Sequence, residues 1–182
     1  MRNHLIAGGI LLVVLGLGVY YVFRPSFTPT PAVQEVSMKL TSSAFEHNQK
    51  IPVLYTCDGG NIHPPLAILG VPEGAKSLAL IVDDPDAPGG TFTHWVIWNI
   101  HPDTAMIADA AVPNESQEGT NSAGQIGFFP PCPPSGQHRY FFTLYALDAK
   151  LGLDGKATKA DVENAMGGHV MAQSLLVGVY SR

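Results

Sequence analysis

The chain has 182 residues, a length that suits one domain with some decoration, and 46% of them are apolar, an ordinary share for a globular protein. The formal net charge is -5, and the ten lysines and arginines are scattered, so the sequence lacks the basic stripe that a nucleic-acid binder needs. Nineteen glycines and fifteen prolines make up nearly a fifth of the chain, which argues against a helical protein and for short strands joined by turns; no repeat at solenoid spacing is present.

The first element in chain order is "LIAGGILLVVLGLGVYYVF", Leu5 to Phe23, which is uncharged throughout. Nineteen residues rising about 1.5 Å each can cross a bilayer as a helix. Arg2 and Arg24 flank the run, and Tyr20 and Tyr21 fall where an interfacial aromatic belt would lie. The run is longer than a signal-peptide core and lacks a small-residue cleavage site, so the expectation is an uncleaved transmembrane anchor over residues 1–24. "RPSFTPTPAVQEV" then reads as a proline-stiffened linker, residues 25–36, and the folded domain is expected over 37–182, on the extracytoplasmic side.

Within the domain, "VSMKLTSSAF" alternates weakly and reads as an edge strand, and "KIPVLYTCDGGNIHPP" as a short strand running into a loop. "KSLALIVDD" is a buried strand that stops at Pro85. "FTHWVIWNI" is apolar on both faces, as a central strand must be, and strict alternation places His94 with Phe92, Val96, Trp98 and Ile100. Residues 102–137 are irregular at a length that is uncommon without a function or packing of its own. "HRYFFTLYALD" is a second central strand. "TKADVENAMGGHVMAQS" is the one clear helical pattern, with Thr158 as N-cap and Asp161 three residues on, and "LLVGVYSR" closes the chain as a strand. The fold class is therefore mainly β: an antiparallel β-sandwich with Greek-key-type connections and one C-terminal helix, in addition to the transmembrane helix.

The chemistry concentrates at strand ends. Asp83, Asp84 and Asp86 sit beside an apolar run, where an unpaired buried carboxylate is costly. Asp84, Asp86, His94, His138 and Tyr140 converge if their strands are neighbours, with Asp83, of opposite parity, left to solvent. Taken singly, His63, His101 and His169 read as satisfied core histidines, and Asp-Pro-Asp as turn chemistry. Two histidines with a carboxylate also fit a metal site, but no HxH or HExxH spacing supports one, and no CxxC marks structural zinc. Neither metal nor cofactor is expected. No GxSxG is present, and the remaining nucleophile is Cys132 beside His138. Cys57 and Cys132 are 75 positions apart; in an exported domain they can form one disulfide, in a cytosolic one they are more often two unrelated thiols.

The stretches "DDPDAP", "THWVIWNI" and "PPCPPSGQHRYFFTLYAL", in that order, resemble the phosphatidylethanolamine-binding protein family, most closely its compact prokaryotic, Raf kinase inhibitor-like branch. The resemblance runs from about Leu40 to Tyr180. It implies a β-sandwich with a small anion pocket formed by Asp84, Asp86, Ala87, Pro88, His94, Pro131, Cys132, His138 and Tyr140, accepting phosphate or the phosphoryl end of a phospholipid head group. Pro130 stands where the family pattern has glycine, which implies a narrower pocket. The function expected is a membrane-anchored binding module, not an enzyme, that modulates a protein partner. Inhibition of a serine protease or kinase is the first alternative, and a metal-dependent or hydrolytic enzyme the second. A homodimer is compatible with the sequence.

Overall fold

The computed structural model of the protein describes residues 10–15, 18–23 and 37–182. The chain divides into two compact units, Met1–Glu35 and Val36–Arg182. In the first, β1 (Ile10–Leu15) and β2 (Gly18–Phe23) pair antiparallel, with Ile10 opposite Phe23 and Leu15 opposite Gly18. The described parts of the stretch expected as a helix, Ile10–Leu15 and Gly18–Phe23, are strands. The segment is rich in valine, isoleucine and tyrosine, which favour strands, and its glycines disfavour helix. No helix among the described residues is long and apolar enough to cross a membrane. The linker at 25–36 lies outside the described residues, as do positions 1–9.

The second unit is mainly β with one α-helix among the described residues. A large sheet has the order β4 (Gln49–Lys50), β11 (Val170–Ser181), β10 (Gln137–Leu147), β6 (Ser77–Asp84), β7 (Phe92–Ile100) and β9 (Gln117–Glu118). A small one has the order β3 (Lys39–Thr41), β5 (Leu66–Leu69) and β8 (Met106–Ile107). All pairings are antiparallel except that of the two-residue β4 with β11, which is parallel. Residues 53–55, expected to continue a strand, instead form a 3-10 turn; β8 and β9 fall in the stretch expected to be irregular, and β5 follows the loop that ends at Pro65.

Two cores form on opposite faces of the large sheet. One fills the space between the sheets with Leu40, Leu66, Ile68 and Ile107 from the small sheet against Leu80, Val82, Trp95, Ile97, Tyr140, Phe142 and Leu144. The other packs Ala79, Ile81, Val96 and Trp98 beneath Val162 and Met166 of helix α1 (Lys159–Met166). Each buried valine, leucine, isoleucine, phenylalanine or methionine among them contributes roughly 1.5–3 kcal/mol by leaving water. The helix begins at a capping box in which Thr158 and Asp161 exchange side-chain and backbone bonds. It ends sooner than its pattern suggested, because Gly167 terminates it and Gly168 turns the chain at φ 81° into β11.

β7 does not alternate strictly. The β6–β7 register shifts twice, so that Leu78 opposes Ile100, Leu80 opposes Ile97, Val82 opposes Trp95 and Asp83 opposes Thr93. At the far end Asn99 adopts φ 56°, and its side chain brackets the backbone of Leu151 by two hydrogen bonds of 2.9 and 2.8 Å. Ile100 thereby joins Trp95 and Ile97 on the inter-sheet face, opposite Val96 and Trp98. At the near end the extra residue is His94, considered below.

Glycine is required at 178, where β11 passes between β10 and β4 with Gly178 opposite Tyr140 and Gln49. A Cβ there would lie 2.5 Å from Ile51 Cγ1 and 2.8 Å from Phe45 Cε2, both core side chains. Gly178→Ala is expected to lower unfolding free energy by about 1–3 kcal/mol through overpacking. A urea midpoint equal to that of the parent protein would show that Phe45 and Ile51 can yield.

Candidate functional site

β6 runs apolar from Leu78 to Val82 and delivers Asp84 to the inter-sheet face at its last position, where the carboxylate is only 4% exposed. Its compensation is local and long-range at once. The Asp86 N–H donates to Asp84 Oδ1 at 2.8 Å, closing an Asx turn, and His138 Nδ1–H, from the second residue of β10, donates to Oδ2 at 2.7 Å. Because an ionised carboxylate only accepts, this contact fixes the proton of His138 on Nδ1.

His94 reaches the same place through the β-bulge. Thr93 points to the opposite face, where its Oγ1–H donates to Asp83 Oδ1 at 2.9 Å. The extra residue then puts both His94 and Trp95 on the inter-sheet face before alternation resumes at Val96. This corrects the grouping of His94 with Val96. Bulges commonly re-aim side chains in this way. His94 Nδ1–H donates to the Phe129 carbonyl at 2.7 Å, and the Phe129 N–H returns a bond to the His94 carbonyl at 2.8 Å. Burial holds His94 below the usual imidazole range, opposed by the Phe129 carbonyl and Asp84.

Asp84, Ala87, Pro88, Phe92, His94, Phe129, Cys132, Pro134 and His138 line one cavity of about 140 Å³. Most of its wall is apolar, and Phe92, His94 and Phe129 form a cluster of tilted rings 4.8–6.0 Å apart. The second ring nitrogens of His94 and His138 have no protein partner, yet neither is sealed from solvent as Nε2 of His63 is. Both therefore open to the cavity. No lysine or arginine is part of the lining.

Of the residues expected there, Asp84, Ala87, Pro88, His94, Cys132 and His138 converge. Asp86 does not. It lies beyond the end of β6, where strand parity no longer governs, and turns outward to Arg139. The Arg139 backbone N–H and Nε donate to its Oδ2, both at 2.9 Å, and Nη2 donates to Oδ1 at 2.7 Å. Tyr140 lies beneath the cavity instead of lining it. It is fully buried, its hydroxyl has no partner, and its ring meets that of His94 edge-on at 5.2 Å. Burial raises its phenol further above the ordinary value. Pro131 is also outside the lining; its carbonyl accepts the Cys57 N–H at 3.1 Å. Phe92, Phe129 and Pro134 were not anticipated. For Phe129 and Pro134 the run "FFPPCPP" is the one sequence hint, and for Phe92 it is its shared strand face with His94.

Asp83 is not left to solvent. Helix α1 covers its face of the sheet, and Lys159 Nζ meets its Oδ2 at 2.7 Å. His63 is buried and stacked on Trp95 at 4.5 Å, as a core histidine would be. His101 and His169 are not buried: the first is exposed, and the second pairs with Asp148 at 2.7 Å on the surface.

Cys57 and Cys132 form a disulfide, so neither is a free thiol and the Cys132–His138 nucleophile is ruled out. The bond ties the wall segment to the loop after the 3-10 turn. Closing a loop of 75 residues adds about 4 kcal/mol in the chain-entropy model. Among the described residues no group of three or more His, Cys, Asp or Glu side chains is arranged to hold a metal ion.

Comparison with known proteins agrees with this fold and the three motifs. The phosphatidylethanolamine-binding protein family profile matches residues 41–181. A UPF0098 protein of Methanothermobacter thermautotrophicus is 53% identical over 150 residues, which is 80% of this chain and 99% of that one. Similar crystal structures include the following two. The phosphatidylethanolamine-binding protein homologue CT736 of Chlamydia trachomatis has a TM-score of 0.79 at 43% identity, covering 81% of this chain and 99% of that one. YbcL of E. coli, described as a member of the mammalian family, has a TM-score of 0.75 at 30% identity, covering 80% and 99%. The chain belongs to the phosphatidylethanolamine-binding protein family.

The Asp86–Arg139 pair has a measurable signature. Hydrogen bonds from Arg139 hold the Asp86 carboxyl at about 2, below its ordinary 3.8. A carboxyl depressed in the folded state stabilises the fold above its unfolded pKa and loses that contribution as pH falls through the folded value. Stability is therefore expected to drop between about pH 4 and pH 2, with a shallower drop in Asp86→Asn. Superimposable acid limbs in urea titrations of the two proteins would show that the pair contributes nothing.

Proposed function

We propose that the unit Val36–Arg182 is a binding module whose cavity takes a small phosphate-like anion, including the phosphoryl end of a phospholipid head group, and that occupancy modulates a protein partner. The observation that carries this reading is the pair of imidazoles, His94 and His138, each with one nitrogen spent on the protein and the other open to a small apolar cavity. A cavity of about 140 Å³ has room for a group of phosphoryl size. Family membership supports binding as the general role. Nothing in the lining supplies an evident nucleophile: the single sulfur is oxidised and the single carboxylate is bonded to His138.

The same proposal places the module at a membrane through Leu5–Phe23, on the extracytoplasmic side. The apolar length of that segment supports the first part, and the Cys57–Cys132 bond, which persists in oxidising compartments, supports the second. A lone strand pair leaves its outer edges unbonded, which hydrocarbon does not tolerate, so insertion requires the segment to become helical.

Titration of the full chain in uncharged detergent with O-phosphoethanolamine is expected to move the imidazole resonances of His94 and His138 while leaving exposed His101 unmoved. No shift at millimolar ligand would overturn the anion reading. In cells, the chain is expected to stay with membranes through alkaline extraction; release of the full chain would overturn the anchor.

A further inference from the structure

The cavity's hydrogen-bond inventory poses a problem for an anion. His94 spends its Nδ1–H on the Phe129 carbonyl and His138 spends its own on Asp84. A neutral imidazole has only one N–H, so what each ring then shows the cavity at Nε2 is a lone pair. The remaining charge in the lining is the Asp84 carboxylate. Asp86 adds none, since Arg139 neutralises it outside the wall. With both imidazoles neutral, the cavity presents one negative charge and two acceptors, and an entering anion finds no donor among these side chains.

Resting on the anion-binding reading above, we propose that the anion enters together with one proton, which is taken up at Nε2 of His138. The resulting imidazolium donates through Nδ1 to Asp84 and through Nε2 to the anion, a three-member chain of alternating charge. His138 suits this role better than His94 because of what faces each ring. Around His138 stand Asp84 at 2.7 Å, the Asp86–Arg139 pair from the adjoining turn, His94 from β7, and Tyr140 and Tyr180 from β10 and β11. Asp84 is the one unneutralised charge among them, and it is negative. His94 instead leans on a neutral carbonyl among Phe92, Phe129 and Tyr140, with Asp84, Asp83 and His138 as its charged or titratable neighbours. Asp83 is engaged by Lys159, and burial disfavours charge on His94. His94 stays neutral, and its lone pair accepts from a protonated phosphoryl oxygen or a bound water. Proton balance is simple: one proton leaves solvent for each anion bound, and the pair of charges enters as a neutral sum.

The consequence is a module that loads its ligand in acid and releases it in base, because uptake of one proton per anion makes affinity fall about tenfold per pH unit wherever the free site is unprotonated. Two ligand sources share the phosphoryl chemistry, and they separate the proton's carrier. Inorganic phosphate can bring a proton of its own, whereas glycerophosphoethanolamine, a phosphodiester, cannot near neutral pH. Calorimetry of the full chain in uncharged detergent, run between about pH 7 and 8 in buffers of differing ionisation enthalpy, counts the protons taken up. The expected result is close to one proton per glycerophosphoethanolamine bound, with both ring nitrogens of His138 protonated in the complex by NMR. Binding of the diester without proton uptake would overturn the proposal while leaving the anion site standing. Uptake with phosphate but not with the diester would overturn it too, since the proton then travels on the ligand. Absence of binding by either probe down to about pH 6 would overturn both this proposal and the reading beneath it.

Discussion

A carboxylate at the end of a buried strand needs hydrogen-bond donors in place of water, and Asp84 finds its long-range donor in His138. Leaving a buried hydrogen-bonding group without its partner costs about 1–3 kcal/mol, and more when the group is charged. Asp84 is 4% exposed and His138 6%, so neither can fall back on water. That single bond of 2.7 Å joins the end of β6 to the start of β10, neighbours in the sheet but 54 residues apart in sequence. It also decides which nitrogen of His138 faces outward. The chemistry of the cavity follows from this choice of tautomer.

The other devices around the cavity serve the same end by different means. The bulge at His94 turns a second imidazole onto the inter-sheet face, and the two bonds between His94 and Phe129 fix both that ring and the chain opposite it. The disulfide then holds the next few residues of that chain, Pro131 to Pro134, against the loop containing Cys57. The long irregular stretch is packed by its own groups: Asn121 binds the carbonyl of Gly127 and the N–H groups of Ala123 and Gln125, and Glu118 accepts the indole N–H of the fully buried Trp95. A loop of that length keeps a fixed shape because nearly every turn has an internal partner. The fixed shape is what lets Phe129 and Pro134 serve as walls.

The sequence made the β architecture, the single capped helix and the central strands readable, because hydrophobic runs bounded by glycine and proline carry that information directly. Parity within an unbroken strand was equally reliable: Asp84 is inward, and Asp83 points to the other face. It failed where the strand was interrupted. Alternation cannot foresee a bulge, so His94 was grouped with Val96 and Ile100 with Trp98. Nor can it extend past a strand's last residue, so Asp86 was assigned inward although the turn after Asp84 sends it to Arg139. Asp83 shows a third limit, since its direction was right but the covering helix comes from 76 residues later in the chain. The segment Leu5–Phe23 is a different matter, because strand propensity and apolar length give opposing signals there.

The chemistry of the cavity depends on the tautomers of two histidines. In water, neutral imidazole favours the proton on Nε2, whereas both His94 and His138 are placed here with the proton on Nδ1. Long-range nitrogen–proton NMR of the ligand-free protein, at a pH where the rings are neutral, reads this directly. The account predicts a protonated Nδ1 and a bare Nε2 for both residues. An Nε2-protonated signal from His138 would contradict it, because the Asp84 contact would then not hold the ring as described.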